Sequence, residues 1–454
     1  MAETERGGKD ARPNIIMFMP DDHPYQAIGA YGNDWVQSSN VDRLAEEGVL
    51  LQNAFVTNSL CAPSRASIMT GLYSHAHRVC ANRVTPRLEE IELSKEFITF
   101  PEVLQEHGYE TAFIGKSHFR PFLRDRGFDY YFGFRAHGWY HDPHVAEATS
   151  PEGPYEDREY KGHLTDILTE HAVKFLKQPH DRPFILFVWY KAPHVPLEPP
   201  ERFEHLYEDQ HIEPPETWGA DLSDRPEWVS SRTSDRPTGE RLEKWMEQQR
   251  QRCRLLAGVD ESVGRVLDTL DELGIAEDTA VIHTSDNGFF MGEFGMSDKR
   301  LMYEPSIKVP FLMRYPGLIE PGSTEDHMIL NIDIGPTLLD LAGVPVPEGM
   351  HGRSFLPLLQ GQEVDWREDW LYEYYEYPLL GYIPPFRGIR TERYKLIFWY
   401  SRWPQEHELY DLQEDPQELH NLADDPQYED LIEELHHRMR ALRHETDDPD
   451  IWKN

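Results

Sequence analysis

Short runs of apolar residues recur along the first two-thirds of this chain, and each breaks off abruptly into polar residues. Asn14–Met19 ends in Pro20-Asp21-Asp22, and Thr111–Ile114 runs into Gly115-Lys116-Ser117-His118. Phe184–Tyr190, the most apolar run of all, leads into Lys191-Ala192-Pro193-His194, and Thr279–Thr284 into Ser285-Asp286-Asn287-Gly288. Runs this short without polar interruption suit strands buried on both faces rather than helices. Helical stretches alternate with them as far as Gly343. Between Glu240 and Gly274, for example, Leu255, Leu256, Val259, Val263, Val266, Leu267 and Leu270 recur at helical spacing, and Ile332 to Leu341 reads as a further amphipathic helix. The alternation predicts an α/β fold: a mostly parallel central sheet covered by helices on both faces. The character changes after about residue 365. Arg387–Arg390 and Tyr394–Tyr400 flank Thr391-Glu392-Arg393 as a hairpin, followed by the stretch from Glu408 to Leu412 and an acidic turn from Glu414, and Leu431, Ile432, Leu435, Met439 and Leu442 mark a terminal helix. We therefore expect a main domain over 1–365 and a smaller C-terminal antiparallel sheet plus helix over 366–454. The proline- and acid-rich stretch from Pro199 to Pro237 reads as an irregular surface insertion.

In open α/β sheets, ligands bind beyond the carboxyl ends of parallel strands. Two runs finish there in carboxylates and a carboxamide: Asp21 and Asp22 on one, Asp286 and Asn287 on the other. Asp-Asp and Asp-Asn-Gly are also ordinary turn chemistry. Taken together, the four side chains offer hard oxygen, which suits Ca²⁺ or Mg²⁺ better than zinc or copper. Cys61-Ala62-Pro63-Ser64-Arg65 adds a thiol just ahead of a helix whose first turn accommodates Pro63. A helix N-terminus attracts anions, and Arg65 contributes a fixed, forked cation.

That pentad resembles the Cys-x-Pro-Ser-Arg signature of the type I, formylglycine-dependent sulfatases of the alkaline phosphatase superfamily. The other motifs follow in the family's order. The resemblance implies an alkaline phosphatase-like fold and conversion of Cys61 to formylglycine by a maturation enzyme. It also implies one Ca²⁺ per chain, with Mg²⁺ as the alternative, held by Asp21, Asp22, Asp286, Asn287 and the modified Cys61. Gly115-Lys116-Ser117-His118 matches the family's Gly-Lys-x-His element, although Ser117 stands where an aromatic residue is usual. His194 matches a second active-site histidine, and Lys299, in Asp298-Lys299-Arg300, a lysine that contacts sulfate and leaving group. On this reading Cys61, Arg65, Lys116, His118, His194 and Lys299 are the catalytic set. One hydroxyl of the hydrated formylglycine attacks sulfur while the other remains to expel sulfate. Arg65 and the metal activate the nucleophile, Lys116 and Lys299 hold sulfuryl oxygens, His194 protonates the departing oxygen, and His118 serves the release step.

Asp21-Asp22-His23, Ala30-Tyr31-Gly32 and the run from Asp298 to Glu304 look most like microbial carbohydrate sulfatases of the N-acetylglucosamine-6-sulfatase and mucin-desulfating kind. The expected substrate is a sulfated saccharide or small molecule, with aryl sulfates as surrogates. One alternative is a phosphonate monoester or phosphodiester hydrolase using the same nucleophile. Another is a catalytically dead binding protein on this scaffold, should Cys61 never be modified. Arg120, Arg124, Arg126, Arg135, His137, Trp139, Tyr140, His141 and His144 crowd one stretch and are read as substrate-binding walls or as packing.

Forty-five basic against 81 acidic residues leave a formal charge of −36, and no basic stripe stands out, which excludes nucleic acid as partner. An anionic substrate then demands a locally basic cleft or salt screening. The first ten residues are charged and show no signal-like apolar core, and no apolar run reaches membrane-spanning length. The expectation is a cytoplasmic protein without membrane association, or an exported one whose leader has been removed. With Cys61 converted, Cys80 and Cys253 remain as a candidate pair, and two free thiols are the preferred expectation because nothing indicates an oxidising compartment.

Overall fold

The computed structural model describes residues 12–82, 91–119, 123–134, 136–150, 154–376 and 383–448; the N-terminal decapeptide read for an export signal lies outside them. Along the chain, the strands of the main body are β1 (Asn14–Met19), β2 (Val49–Leu51), β3 (Ala54–Phe55), β4 (Glu110–Lys116), β5 (Tyr130–Phe134), β6 (His144–Ala148), β7 (Glu156–Glu159), β8 (Phe184–Trp189), β9 (Thr279–Thr284), β10 (Phe290–Met291), β11 (Ser297–Asp298), β12 (Phe311–Arg314), β13 (Ser323–Glu325) and β14 (Ile329–Leu330). Ten form one sheet in the order β13-β2-β12-β9-β1-β8-β4-β5-β6-β7. The four apolar runs of the sequence are its centre, β9-β1-β8-β4, all mutually parallel. Antiparallel pairs occur only outside that centre, at β12, β6 and β7.

Period-two alternation with burial on both faces explains the apolar runs within the central strands. Ile15, Met17 and Met19 join Phe113, Ile185, Phe187 and Trp189 on one face. Ile16 and Phe18 join Ala112, Ile114, Leu186 and Val188 on the other. Helices Cys61–Thr70, Phe100–Glu106 and Ile334–Leu341 supply Ala66, Leu104 and Leu338 to the first layer. Ser39–Glu46, Leu164–Leu176 and Glu240–Leu273 supply Leu44, Leu168 and Val263 to the second. The long helix matches its sequence reading and stops at Gly274, in the left-handed region that favours glycine.

Two expectations change. Cys61 is the first helical residue rather than the one ahead of the helix, placing Pro63 inside the first turn. The Pro199–Pro237 stretch is irregular but not merely surface. Phe203, Ile212, Trp218, Leu222 and Val229 are buried, and Trp218 meets Trp245 edge-on at 5.4 Å. Its polar composition masks these isolated apolar anchors, which follow no period. Among the described residues no helix is long and apolar enough to cross a membrane, and the three cysteines are free.

The C-terminal strands β15 (Asp369–Tyr374), β16 (Phe386–Thr391), β17 (Tyr394–Trp399) and β18 (Glu406–Asp411) form an antiparallel sheet in sequential order. Helix Glu429–Glu445 packs on it through Leu435 and Met439. A buried ion pair ties this sheet to the segment behind the Cys61 helix. His75 Nδ1 lies 2.6 Å from Glu373 Oε1, while His75 Nε2 faces the Thr446 carbonyl at 2.9 Å, so both ring nitrogens face acceptors.

Burial pulls His75 down, but Glu373 outweighs it and lifts the imidazole from 6.5 to about 8. A raised histidine pKa stabilises the fold fully below the unfolded value and loses that contribution as pH rises through the folded one. The destabilisation caused by His75→Gln should therefore be roughly 2 kcal/mol at pH 6 and shrink by pH 9. Denaturant unfolding of both proteins at the two pH values measures this; an effect independent of pH would contradict it.

Candidate active site

The ends of β1, β9, β8 and β4 are neighbours in the sheet, so the polar residues that follow them converge. Asp21 and Asp22 follow β1, and Asp286 and Asn287 follow β9. Lys116 is the last residue of β4, with His118 two residues on, and the turn after β8 carries His194. That turn is drawn onto β1 by Asp21 N–H donating to the Ala192 carbonyl at 3.0 Å. Gly115 makes the β4 exit possible. Its φ is +123°, and a Cβ there would lie 1.8 Å from the Trp189 carbonyl oxygen.

Asp21, Asp22 and Asp286 are buried, with ligand oxygens within 4.8 Å of one another. Each accepts a hydrogen bond from a different cation. Lys116 Nζ donates to Asp21, Lys299 Nζ to Asp22, and Arg65 Nε to Asp286 Oδ2 at 2.9 Å. Burial raises the Asp21 carboxyl, yet Lys116, His194, Arg65 and Lys299 together hold it well below the usual range. Asp22 is likewise lowered against burial, chiefly by Lys299. Asp286 goes the other way, pushed up to about 6 by burial and Asp21 despite Arg65. The Arg65 guanidinium also donates to the Lys116 carbonyl and lies 5.2 Å from the Trp189 ring, so it is held from several sides.

Cys61 opens a fully buried helix over this cluster. Its Sγ lies 3.2 Å from Lys299 Nζ and 3.5 Å from Asp21 Oδ1. Burial pushes the thiol pKa up, with Lys299 opposing, so unmodified Cys61 is a protonated, weak nucleophile. His194 Nδ1 faces the Val195 carbonyl at 2.8 Å, which places the neutral ring's proton there; Nε2 then faces Asp22 Oδ2 at 3.9 Å. Burial draws His194 down to about 4, against Asp21. His118 is buried with Nδ1 unpartnered, and burial with Lys116 keeps it neutral. Every expected site residue is thus in one cluster.

The loop stretch divides. His137 Nδ1 accepts from Lys116 at 3.0 Å, and its ring stacks on His194 with centroids 4.3 Å apart. Lys116 and burial keep it neutral. Tyr140 is buried and donates to the His194 carbonyl at 2.7 Å. Arg126 is a packing residue rather than a substrate wall, donating to Glu102 and to the carbonyls of Leu93, Ser94 and Phe97. His141 pairs with His163, and His144 with Asp157 at the surface. Arg120 and Arg135 lie outside the described residues, as does the Arg124 side chain. Lys191 was not singled out by the sequence. It is buried, donates to the Val195 carbonyl at 3.0 Å and so closes the turn that carries His194.

The donor set fits a hard divalent cation. Asn287 Nδ2 donates to Asp22 Oδ1 at 2.6 Å, while Asn287 Oδ1 is buried without a hydrogen-bond partner beside three carboxylates. An orphaned carbonyl oxygen in such company is the arrangement a hard cation satisfies. Three cationic and three anionic side chains sum to zero, so a divalent ion leaves the cluster at a formal +2, suited to an oxyanion. A helix-borne thiol, hard-metal donors, buried cations and neutral histidines in one cluster suit a metal-assisted hydrolase of oxyanion esters.

Comparison with known proteins narrows this class. The family model described as Sulfatase matches residues 13–344, and that described as N-sulphoglucosamine sulphohydrolase, C-terminal, matches 292–445. The N-acetylglucosamine-6-O-sulfatase of Bacteroides thetaiotaomicron is 33% identical, the alignment covering 97% of this chain and 88% of that one. The human (Homo sapiens) N-acetylglucosamine-6-sulfatase is 30% identical over 80% of this chain and 67% of its own. Among solved structures, BT4656 in complex with its substrate D-glucosamine-2-N,6-O-disulfate superposes with a TM-score of 0.88 at 31% identity, covering 98% of this chain and 100% of that one. The chain belongs to the sulfatase family and is a sulfuric ester hydrolase.

A divalent cation at about 100 times its dissociation constant should stabilise the wild type by about 2.7 kcal/mol. Asp22→Ala and Asp286→Ala should lose that increment whatever their own baseline stability. Thermal unfolding with added cation and after chelation measures it, and an undiminished increment in both variants would remove the site.

Proposed function

We propose that this chain removes the 6-O-sulfate of a glucosamine-type saccharide, using formylglycine at position 61 and Ca²⁺. The carrying observation is the seat of Cys61, at a helix N-terminus between Lys299 and Asp21. The substrate reading draws on relatives named for N-acetylglucosamine 6-sulfate and on the 6-O-sulfated sugar bound by BT4656. Ca²⁺ is favoured because Asp21, Asp22, Asp286 and Asn287 offer oxygen, and Cys61 would too once its sulfur is replaced by the formylglycine oxygen; these five are its holders. Bound there, the ion supplies Lewis acidity toward the sulfuryl oxygens and the nucleophile.

The chain's own residues do the rest. The sulfate enters a cluster where Lys116 and Lys299 donate to carboxylates, and both can turn a donor to its oxygens. Arg65 is too firmly held to move and sets the field at the helix start. His194 Nε2 and Lys299 stand on the leaving-group side. The negative charge of the ester acts on His194 in the direction of proton uptake, and the proton then passes to the departing sugar oxygen. Neutral His118 is suited to accept a proton in the release step.

Peptide mass analysis of active enzyme should find aldehyde oxygen in place of sulfur at Cys61, and Cys61→Ala should release no sulfate from glucosamine 6-sulfate. Full activity with an intact thiol would end this reading. Leaving-group dependence tests His194 separately. A sugar alkoxide needs a proton in the transition state and nitrophenolate needs little, so His194→Ala should slow glucosamine 6-sulfate by roughly 10²–10⁴-fold and nitrophenyl sulfate far less. Equal losses in kcat/KM would assign the proton elsewhere, with His118 the first candidate.

A further inference from the structure

A second cavity shares a wall with the reaction centre. It has a volume of about 290 Å³ and is lined by Arg232, Phe290, Met296, Asp298, Lys299 and Leu301. Lys299 is the common wall, because its Nζ bonds Asp22 and Cys61. Phe290, Met296 and Leu301 are buried beneath it and give it a packed floor. Asp298 is occupied by Arg300, which also donates to Glu376 Oε2 at 3.1 Å. Arg232 is different: half-buried in the irregular stretch before the long helix, its guanidinium has no hydrogen-bond or ion-pair partner among the described residues. Burial without a partner lowers its pKa, and Asp298 compensates only in part.

We propose that Arg232 and this cavity form a subsite for a second oxyanion on the substrate, so that the preferred substrate is a saccharide bearing another sulfate or a carboxylate near the scissile ester. The inference rests on the sulfatase reading above. A forked guanidinium matches either anion bidentately. The placement also serves a chain of net charge −36, since affinity for a polyanion must come from short-range cations inside the cleft.

The test is the ratio of kcat/KM for a two-anion substrate to that for glucosamine 6-sulfate. The two-anion substrates are glucosamine 2-N,6-O-disulfate and a 6-sulfated glucosamine linked to a hexuronate, which separate sulfate from carboxylate as the recognised group. A ratio cancels differences in folding yield and in Cys61 conversion between preparations. Wild type should favour at least one two-anion substrate, and Arg232→Gln should collapse that ratio roughly 10-fold or more, with Arg232→Lys between them. An unchanged ratio in Arg232→Gln, or no wild-type preference for either second anion, overturns the subsite and leaves the sulfatase reading intact. Wild type that desulfates none of the three sugars fails both.

Discussion

Three carboxylates buried at the ends of adjacent parallel strands, each matched by one cation, are the arrangement on which this molecule depends. Burying an unpaired charge costs several kcal/mol, whereas a paired and hydrogen-bonded one can be sustained. Asp21, Asp22 and Asp286 are therefore tolerable only because Lys116, Lys299 and Arg65 arrive from three other segments. This requirement ties β1, β4, β9, the Cys61 helix and the loop after β11 into one unit. Charge balance also has a chemical consequence. The lysines answer the carboxylates, and a divalent cation held there would compete with them for the same oxygens.

The C-terminal sheet takes part in positioning the start of the Cys61 helix. Tyr372 on β15 accepts from the Ser59 amide at 3.1 Å and donates to the Arg300 carbonyl at 2.6 Å. Glu376 accepts from the Asn82 amide at 3.0 Å, and the Asn82 side chain accepts from the Ala62 amide at 2.9 Å, directly after Cys61. The first turn of that helix thus has amides answered from outside it, which satisfies donors that a helix start leaves open. His75 and Glu373 add a charged tie nearby. Changes in the C-terminal sheet can reach Cys61 through these few bonds.

Acidic excess over the whole chain coexists with a reaction centre in which three cations balance three carboxylates. Charges on the outer surface are screened beyond roughly 10 Å at ordinary ionic strength, while Arg65, Lys116 and Lys299 act within a few ångströms on whatever enters. Net charge therefore bears on solubility and approach, and the buried set on binding.

Much was legible in the sequence because its signals are local. Uninterrupted apolar runs predict doubly covered strands, and the period of the long helix and its closing glycine survive unchanged in the structure. The Cys61 pentad, the Asp-Asp pair, Gly-Lys-x-His and Asp-Asn-Gly sit where backbone geometry demands them, at strand exits and a helix start. What the sequence could not settle involves residues whose partners lie far along the chain. The anchors of the Pro199–Pro237 stretch follow no period, and Arg126 reads as a substrate cation until Glu102 and three carbonyls are beside it. His137 gains its meaning from Lys116 and His194, and Arg232 from the partner it lacks. Local pattern decides which elements form, because it records the faces they must bury; only tertiary packing decides which charges meet, because a buried charge is defined by neighbours that sequence distance does not predict.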